Sequence, residues 1–411
     1  MQKNCIPAFG IIAEYNPLHN GHSQMMAAAR SALGNAPCVI VLSPSFTQRG
    51  EPAICDKWTR AKMALQCGAD LVLELPFIFS CAAAPDFAAG AVGLLARTHL
   101  VSHLAFGMET PDVDVGPILD VLLNEPPEFS RALQNELKRG ASYPKAASIA
   151  IDAVKPGYGA FISSPNNMLA ISYMLDIKKR GCSIVPLPLP RLGGSHNGLT
   201  LDKLAGSGAI RAALNDGASL DDGELLAEAV PLSSLLLLRE ARDEGRLMSY
   251  NKKNETLWTM LRALFLRSSS EELRCVDGMD EGIENLFMRN WRDAENYGDF
   301  VGRCVSARYT QGYIRRRLVR ILLGINRWDA CAVRRFGAPY ARVLGFTARG
   351  RELIKEHRRD SEIPFITRLA AADGPIGELA ARMEFGASAL YEMLLPRPDI
   401  HREERGKPME A

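Results

Sequence analysis

GIIAEYNPLHNGH, Gly10 to His22, sets two histidines three residues apart directly after an apolar run. The run itself, IPAFGIIA from Ile6 to Ala13, is continuous rather than alternating, the pattern of a strand buried on both faces. Beyond the histidines, Gly21 to Leu33 carries Ala and Met throughout and is stopped by Gly34, so a helix follows. His19 and His22 therefore fall where a first strand ends and its helix begins. In an open parallel sheet, ligands bind beyond the carboxyl ends of the strands, which is this place. Free N–H groups and the helix dipole already favour anions there. Imidazole donors can hold a phosphate and follow charge as it builds in a transition state, while Asn20 and Gly21 let the backbone pass close to the ligand. A metal clamp is a rival reading, but it needs a third ligand. The residues between the histidines are Asn and Gly, and no matching Cys/His cluster lies downstream. Two ordinary polar residues opening a helix are the third reading. The phosphate grip is favoured, with no metal site expected.

Outward from this stretch the pattern repeats. CVIVL (Cys38–Leu42) predicts a second buried strand, and a helix is expected from about Asp56 to Cys67. ADLVLELPF (Ala69–Phe77) supplies a third strand, a helix runs around Phe87 to Arg97, and SHLAFG (Ser102–Gly107) is a fourth strand. Ser163–Gly181 reads as a helix with Ser164 as N-cap, Pro165 in the first turn and Lys178, Lys179 and Arg180 at its C-terminal end. SIVPLPLPR (Ser183–Arg191) is a further strand whose prolines require an edge position or a strand end. Strands alternating with helices predict a Rossmann-like, doubly wound parallel sheet. After about Ala218 the chain becomes rich in Leu, Arg and Glu with few strand signals, so a boundary is placed there between an α/β domain at residues 1–218 and a mostly α-helical, arginine-rich domain at 219–411. The tail from Arg397 is polar and reads as frayed.

The bulk properties restrict what such a chain can be. At 411 residues it exceeds what one hydrophobic core usually supports, in keeping with two domains. Nine cysteines stand singly, none at CxxC spacing, which favours reduced thiols in a cytoplasmic protein over a disulfide framework. No apolar window reaches membrane-spanning length, and the N-terminal run is too short for a signal sequence. The net charge of +2 hides an asymmetry. Between Val301 and Asp360, fifteen basic residues, fourteen of them arginine, face four acidic ones, a concentration that reads as a nucleic-acid footprint. Arg308, Arg315, Arg316, Arg317 and Arg320 are the RNA contacts this reading selects.

A buried strand followed by HNGH resembles the HxGH signature of nucleotidyltransferases, which transfer adenylate from ATP with pyrophosphate leaving. The longer string GIIAEYNPLHNGH resembles the tRNA(Met) cytidine acetate ligase family. FTQRGEPAICDKWTRAKMAL (Phe46–Leu65), GADLVLELP (Gly68–Pro76), FGME (Phe106–Glu109), SPNNMLAISY (Ser164–Tyr173), RYTQGYIRRRLVRILL (Arg308–Leu323) and RVLGFTARGRELI (Arg342–Ile354) extend the resemblance across both expected domains. It implies a two-step reaction: acetate and ATP give acetyl-adenylate, and the N4 amine of the wobble cytidine of elongator tRNA(Met) then takes the acetyl group. It also implies ATP contacts along Ile12, Ala13, Glu14, Tyr15, Asn16, Pro17, Leu18, His19, Asn20, Gly21, His22, Ser23, Gln24 and Met25, and at Gly107, Asn166 or Asn167, and Arg191.

Other candidates follow from residue chemistry. Lys57 and Arg60, one helical turn apart behind the capping Asp56, can hold triphosphate oxygens, and Arg49 stands in the preceding loop. GSGAIRAAL (Gly206–Leu214) resembles the family's second phosphate element, with Ser207 and the clamping Arg211. Here Gly206 and Gly208 replace the hydroxyl residues of the usual pattern, and SPSF (Ser43–Phe46) stands where SGNF is more usual. Losing one oxyanion-type donor can cost about two to three orders of magnitude in rate. Glu14 or Glu109 can help hold Mg²⁺ through water beside the phosphates. Two rivals to the ligase remain at this level: a small-molecule adenylyltransferase of the coenzyme A or NAD type, and an RNA-binding relative whose phosphate turn has decayed.

Overall fold

The computed structural model describes residues 8–191, 203–221 and 224–411. Ile6, Pro7 and Cys5 thus lie outside the described residues, as do Asp222 and Gly223. Five parallel strands, β1 (Phe9–Ala13), β2 (Cys38–Leu42), β3 (Leu71–Glu74), β4 (His103–Met108) and β5 (Val185–Pro190), stand in the order β5-β4-β1-β2-β3. Four helices follow or link them: α1 (Asn20–Ala32), α2 (Lys57–Gln66), α3 (Ala84–Thr98) and α4 (Pro165–Arg180). The expected Rossmann-like sheet is present, and its order reverses between β1 and β4, which leaves a crevice above the carboxyl ends. Between β4 and α4 lie helices that the sequence reading missed, at Gly116–Asn124, Pro127–Lys138, Tyr143–Val154 and Gly159–Ser163.

The central strands read as continuous apolar runs because both of their faces are covered. In β2, Cys38, Ile40 and Leu42 join Met26 and Ala29 of α1 and Ala61 and Ala64 of α2 in one core. Val39 and Val41 turn the other way, to Phe87 and Val92 of α3 and Ala170 and Ile171 of α4. Each such valine, leucine or isoleucine contributes about 1.5–3 kcal/mol on leaving water. By contrast β5 occupies the sheet edge, where Pro186, Pro188 and Pro190 leave no ladder donor missing.

The sheet continues into the second half of the chain. β6 (Ala341–Phe346) pairs antiparallel with β3, and β7 (Phe365–Ile366) and β8 (Met409–Glu410) pair parallel with β6. The rest of that half is mostly helical, with α5 (Ser207–Asn215) before it and α6 (Tyr250–Arg267), α7 (Gln311–Leu323), α8 (Gly374–Leu394) and α9 (Arg402–Arg405) within it. Among the described residues no helix is long and apolar enough to cross a membrane, and all eight described cysteines are free thiols.

β6 was unexpected because ARVLGF sits in an arginine-rich stretch and carries Arg342 in its middle. That arginine is fully buried and joins a five-residue ionic knot. Lys57 Nζ lies 2.7 Å from Glu74 Oε1, 2.7 Å from Glu403 Oε2 and 3.3 Å from Glu384 Oε1. Arg342 pairs with Glu74 Oε2 at 2.8 Å and with Glu403. Burial penalises the Lys57 charge, but Glu403 and Glu74 outweigh it and hold the amine protonated. Burial and the neighbouring Glu74 push Glu384 well above the usual carboxylate range. Two cations thus meet three carboxyls, and the rise of Glu384 moves the knot toward neutrality. The expectation of a frayed tail is corrected by the same contacts: Glu403 of α9 is buried, and β8 adds a rung to the sheet.

Candidate functional site

The crevice above β1, β4 and β5 encloses about 300 Å³. His19 is the N-cap of α1, and the two histidines form a capping box at its first turn. The backbone N–H of Gly21 donates to His19 Nδ1 at 3.1 Å, and that of His19 donates to His22 Nδ1 at 3.3 Å. An accepting Nδ1 places the proton on Nε2, so the cap fixes one tautomer in both rings and leaves each Nε2–H as a donor for a ligand. The rings lie 3.7 Å apart between centroids, and Tyr15 meets His22 edge-on at 5.0 Å. Burial, aided by Arg191, lowers His19 to about 4. Burial, His19 and Arg191 together push His22 well below its usual value. Both imidazoles are therefore neutral donors at pH 7, and the positive charge of the site comes from arginine.

That depression has a consequence for stability. Between about pH 4 and 6.5 an unfolded His19 binds a proton that the folded one refuses, so stability falls as the pH drops through this window. The contribution is about 3 kcal/mol between pH 7 and pH 4. His19→Gln is expected to make the urea midpoint less dependent on pH between 4 and 6.5; an unchanged dependence would contradict the neutral assignment.

α5 brings the second phosphate element to the same place. Ser207 Oγ donates to the Pro17 carbonyl at 3.0 Å and Arg211 Nη1 to that of Asn16 at 2.6 Å, which docks the helix onto the loop before α1. A Cβ at Gly206 would meet only Arg191 Nη2 at 4.0 Å, and one at Gly208 would meet nothing. The missing hydroxyls are thus a loss of hydrogen-bonding groups, with the space for them retained. Ile12, Ala13, Glu14, Tyr15, Asn16, Gly21, Met25, Gly107, Asn166 and Arg191 also line the crevice. At Gly107 a Cβ would stand 3.7 Å from Met25 Sδ and 3.8 Å from Arg191 Cβ, so glycine keeps a slot open between them.

Other expected residues are placed elsewhere. Pro17, Leu18, Asn20, Ser23 and Gln24 are not among the lining residues; Leu18 is fully buried, Gln24 is exposed, and Asn20 Nδ2 donates to the carbonyls of Lys203 and Glu228 at 3.0 and 2.6 Å. The asparagine pair is separated. Asn166 lines the crevice and donates to Glu109 Oε1 at 3.1 Å, whereas buried Asn167 bonds the Glu109 N–H and the Phe161 carbonyl. Lys57 and Arg60 require correction as triphosphate ligands. Lys57 is held in the ionic knot, and Arg60, fully buried, donates to the carbonyls of Cys55, Glu14, Ser43 and Pro44. That guanidinium ties the loop after β1 to the loop after β2. Pro44, one of the SPSF departures, contributes its carbonyl to this tie.

Two of the five arginines selected as RNA contacts turn inward instead. Arg317 and Arg320 are 8% and 6% exposed. Arg317 stacks 3.0 Å from the Tyr313 ring and donates to the Gly278 carbonyl, and Arg320 pairs with Asp277 at 2.9 Å. Arg308 donates to the Leu137 carbonyl and is partly exposed. Arg315 pairs with Glu51, and Arg316 Nη1 donates to the Gln48 carbonyl at 2.9 Å. These last two hold the 47–51 loop, from which Thr47, Gln48 and Arg49 line the crevice. Gly50 makes the approach possible: its φ is +72° and any Cβ would clash with the Arg315–Arg316 backbone. Counting charge along the sequence cannot separate an inward arginine from an outward one. Nor did it find the aromatic wall formed by Phe87, Phe106 and Tyr173, whose spacing is that of ordinary core.

Comparison with known proteins agrees with this geometry. The HIGH Nucleotidyl Transferase family profile matches residues 6–406. The chain is 33% identical over 398 residues to the tRNA(Met) cytidine acetate ligase of Acetivibrio thermocellus, covering 95% of both. It is 36% identical over 368 residues to that of Caldanaerobacter subterraneus subsp. tengcongensis, covering 88% of this chain and 89% of the relative. The crystal structure of apo Thermotoga maritima TmcAL matches with a TM-score of 0.89 at 27% identity, covering 98% of this chain and 99% of that one. The form bound with alpha-thio ATP matches with a TM-score of 0.87 at 27% identity, covering 98% and 100%. With the HNGH turn seated at a sheet crevice and likeness running through both halves, the chain belongs to the tRNA(Met) cytidine acetate ligase family of HIGH nucleotidyltransferases.

Proposed function

We propose that the enzyme binds ATP in this crevice, activates acetate as acetyl-adenylate, and acetylates N4 of the wobble cytidine of elongator tRNA(Met). The observation that carries the reading is the convergence of two neutral Nε2–H donors at a helix N-terminus with Ser207, Arg191 and Arg211. A carboxylate oxygen of acetate bonds to the α-phosphorus, the bond from that phosphorus to the bridging oxygen breaks, and pyrophosphate leaves with the electron pair. Charge grows on the departing oxygens, and fixed donors facing them stabilise the transition state more than the ground state. In the second step N4 attacks the acetyl carbon, AMP leaves, and N4 loses a proton.

Magnesium accords with this site as a companion of the triphosphate, where it would offset phosphate charge. Among the described residues no cluster of three His, Cys, Asp or Glu stands ready for a metal. Glu14 Oε1 accepts the Gln48 N–H at 2.7 Å and Glu109 accepts from Asn166. Phosphate oxygens and water would then supply most of the ligands, with one of these carboxylates at the rim.

Residues 1–218 are assigned the adenylate chemistry and 219–411 most of the RNA contact, in the cytoplasm where tRNA resides. With Arg317, Arg320 and Arg342 turned inward, RNA contact falls to outward cations, among them Arg335, Arg351, Lys355, Arg358 and Arg359. Incubation with ATP, acetate and bulk tRNA, followed by nucleoside analysis, is expected to yield N4-acetylcytidine only when all three are present. A stable adenylated product other than acetyl-adenylate, with no acetylcytidine, would favour an adenylyltransferase, and RNA binding without ATP turnover would favour a decayed relative.

A further inference from the structure

The crevice is lined by two chemically different groups of residues, divided at β4, where the neighbours Phe106 and Gly107 turn to opposite faces. One is formed by Met25, Gly107, Pro190, Arg191 and the Gly206–Gly208 turn, cationic and floored by glycine. The other is walled by Phe87 of α3, Phe106 of β4, and Leu169, Ala170 and Tyr173 of α4. Gln48 lines the same crevice, and its side-chain Nε2 is buried with no hydrogen-bond partner among the described residues. The backbone of that residue is committed: its N–H donates to Glu14 at 2.7 Å and its carbonyl accepts from Arg316 at 2.9 Å. A buried amide N–H without an acceptor is costly and uncommon, and a turn of the Gln48 side chain toward the crevice it lines would bring this one to an arriving acceptor.

We propose that the aromatic side is the subsite for a short aliphatic carboxylic acid, with Gln48 Nε2 donating to its carboxylate and the apolar wall holding its alkyl group. This rests on the ligase reading. Two requirements divide the crevice. The nucleoside and triphosphate need cations and close backbone, which the glycine-floored side provides. A small acid needs an apolar wall and one or two donors that orient its oxygen toward the α-phosphorus. Leu169 and Ala170 close the wall on the α4 side, so their bulk sets the length of acid admitted.

The test is ATP–pyrophosphate exchange driven separately by acetate, propionate and butyrate. Gln48→Met, similar in volume but without the donor, is expected to raise the KM for acetate by about 10- to 100-fold, as for a lost hydrogen bond to a charged group. Its KM for ATP should stay within about twofold. Leu169→Ala is expected to raise the butyrate-to-acetate ratio of kcat/KM by about tenfold or more. Thermal melting with and without ATP checks that both variants are folded; if Gln48→Met fails to fold, Leu169→Ala decides alone. Wild-type exchange with acetate, combined with an unchanged acid preference in Leu169→Ala or equal losses for ATP and acetate in Gln48→Met, would overturn the subsite but not the ligase. Absence of exchange with every acid in the wild type would overturn both.

Discussion

His22→Ala is expected to lower acetate-dependent ATP–pyrophosphate exchange by about two to three orders of magnitude, the usual cost of one donor to developing oxyanion charge. Affinity for tRNA should remain within about twofold, since His22 lines the crevice and none of the outward arginines of the second half does. Part of the loss is local structure. His22 Nδ1 accepts the His19 N–H, so alanine also removes half of the capping box, worth about 1 kcal/mol. His22→Gln, which has both an amide acceptor and a donor, should lose less than alanine. Loss of tRNA binding with normal exchange would contradict the assignment.

Arg342→Met is expected to destabilise the fold by about 3–5 kcal/mol, the range for removing one partner of a buried ionic group. Methionine fits the volume, but Glu74 and Glu403 would lose a shared cation at a site from which water is excluded. The measurement is urea unfolding, with a lower midpoint at an unchanged slope. Pairing the change with Glu403→Gln removes one of the stranded charges and should restore part of the loss. A midpoint equal to wild type would show that the knot is energetically idle.

The two predictions also mark what could be read from sequence. The histidine turn was legible because one local pattern, apolar strand then polar helix start, specifies both the fold and the place of the ligand. The edge strand was legible from its prolines. Lys57 and Arg342 were not, because their partners, Glu74, Glu384 and Glu403, are assembled from β3, α8 and α9. Arg60 misled for a related reason: an arginine one turn inside a helix looks solvent-facing until four carbonyl groups are brought around it. The arginine run of α7 has an amphipathic pattern, and its inward members are compensated by Asp277 and by the Gly278 and Cys81 carbonyls.

Glu403 also bears on the order in which the molecule is made. A ribosome delivers Lys57 and Glu74 early and Glu403 among the late residues, with Arg342 between them. Until Arg342 emerges, β3 lacks β6 as a neighbour and presents an open strand edge, the kind that recruits other nascent chains. Keeping the early sheet solitary matters until translation reaches β6, and the knot closes only when α9 follows.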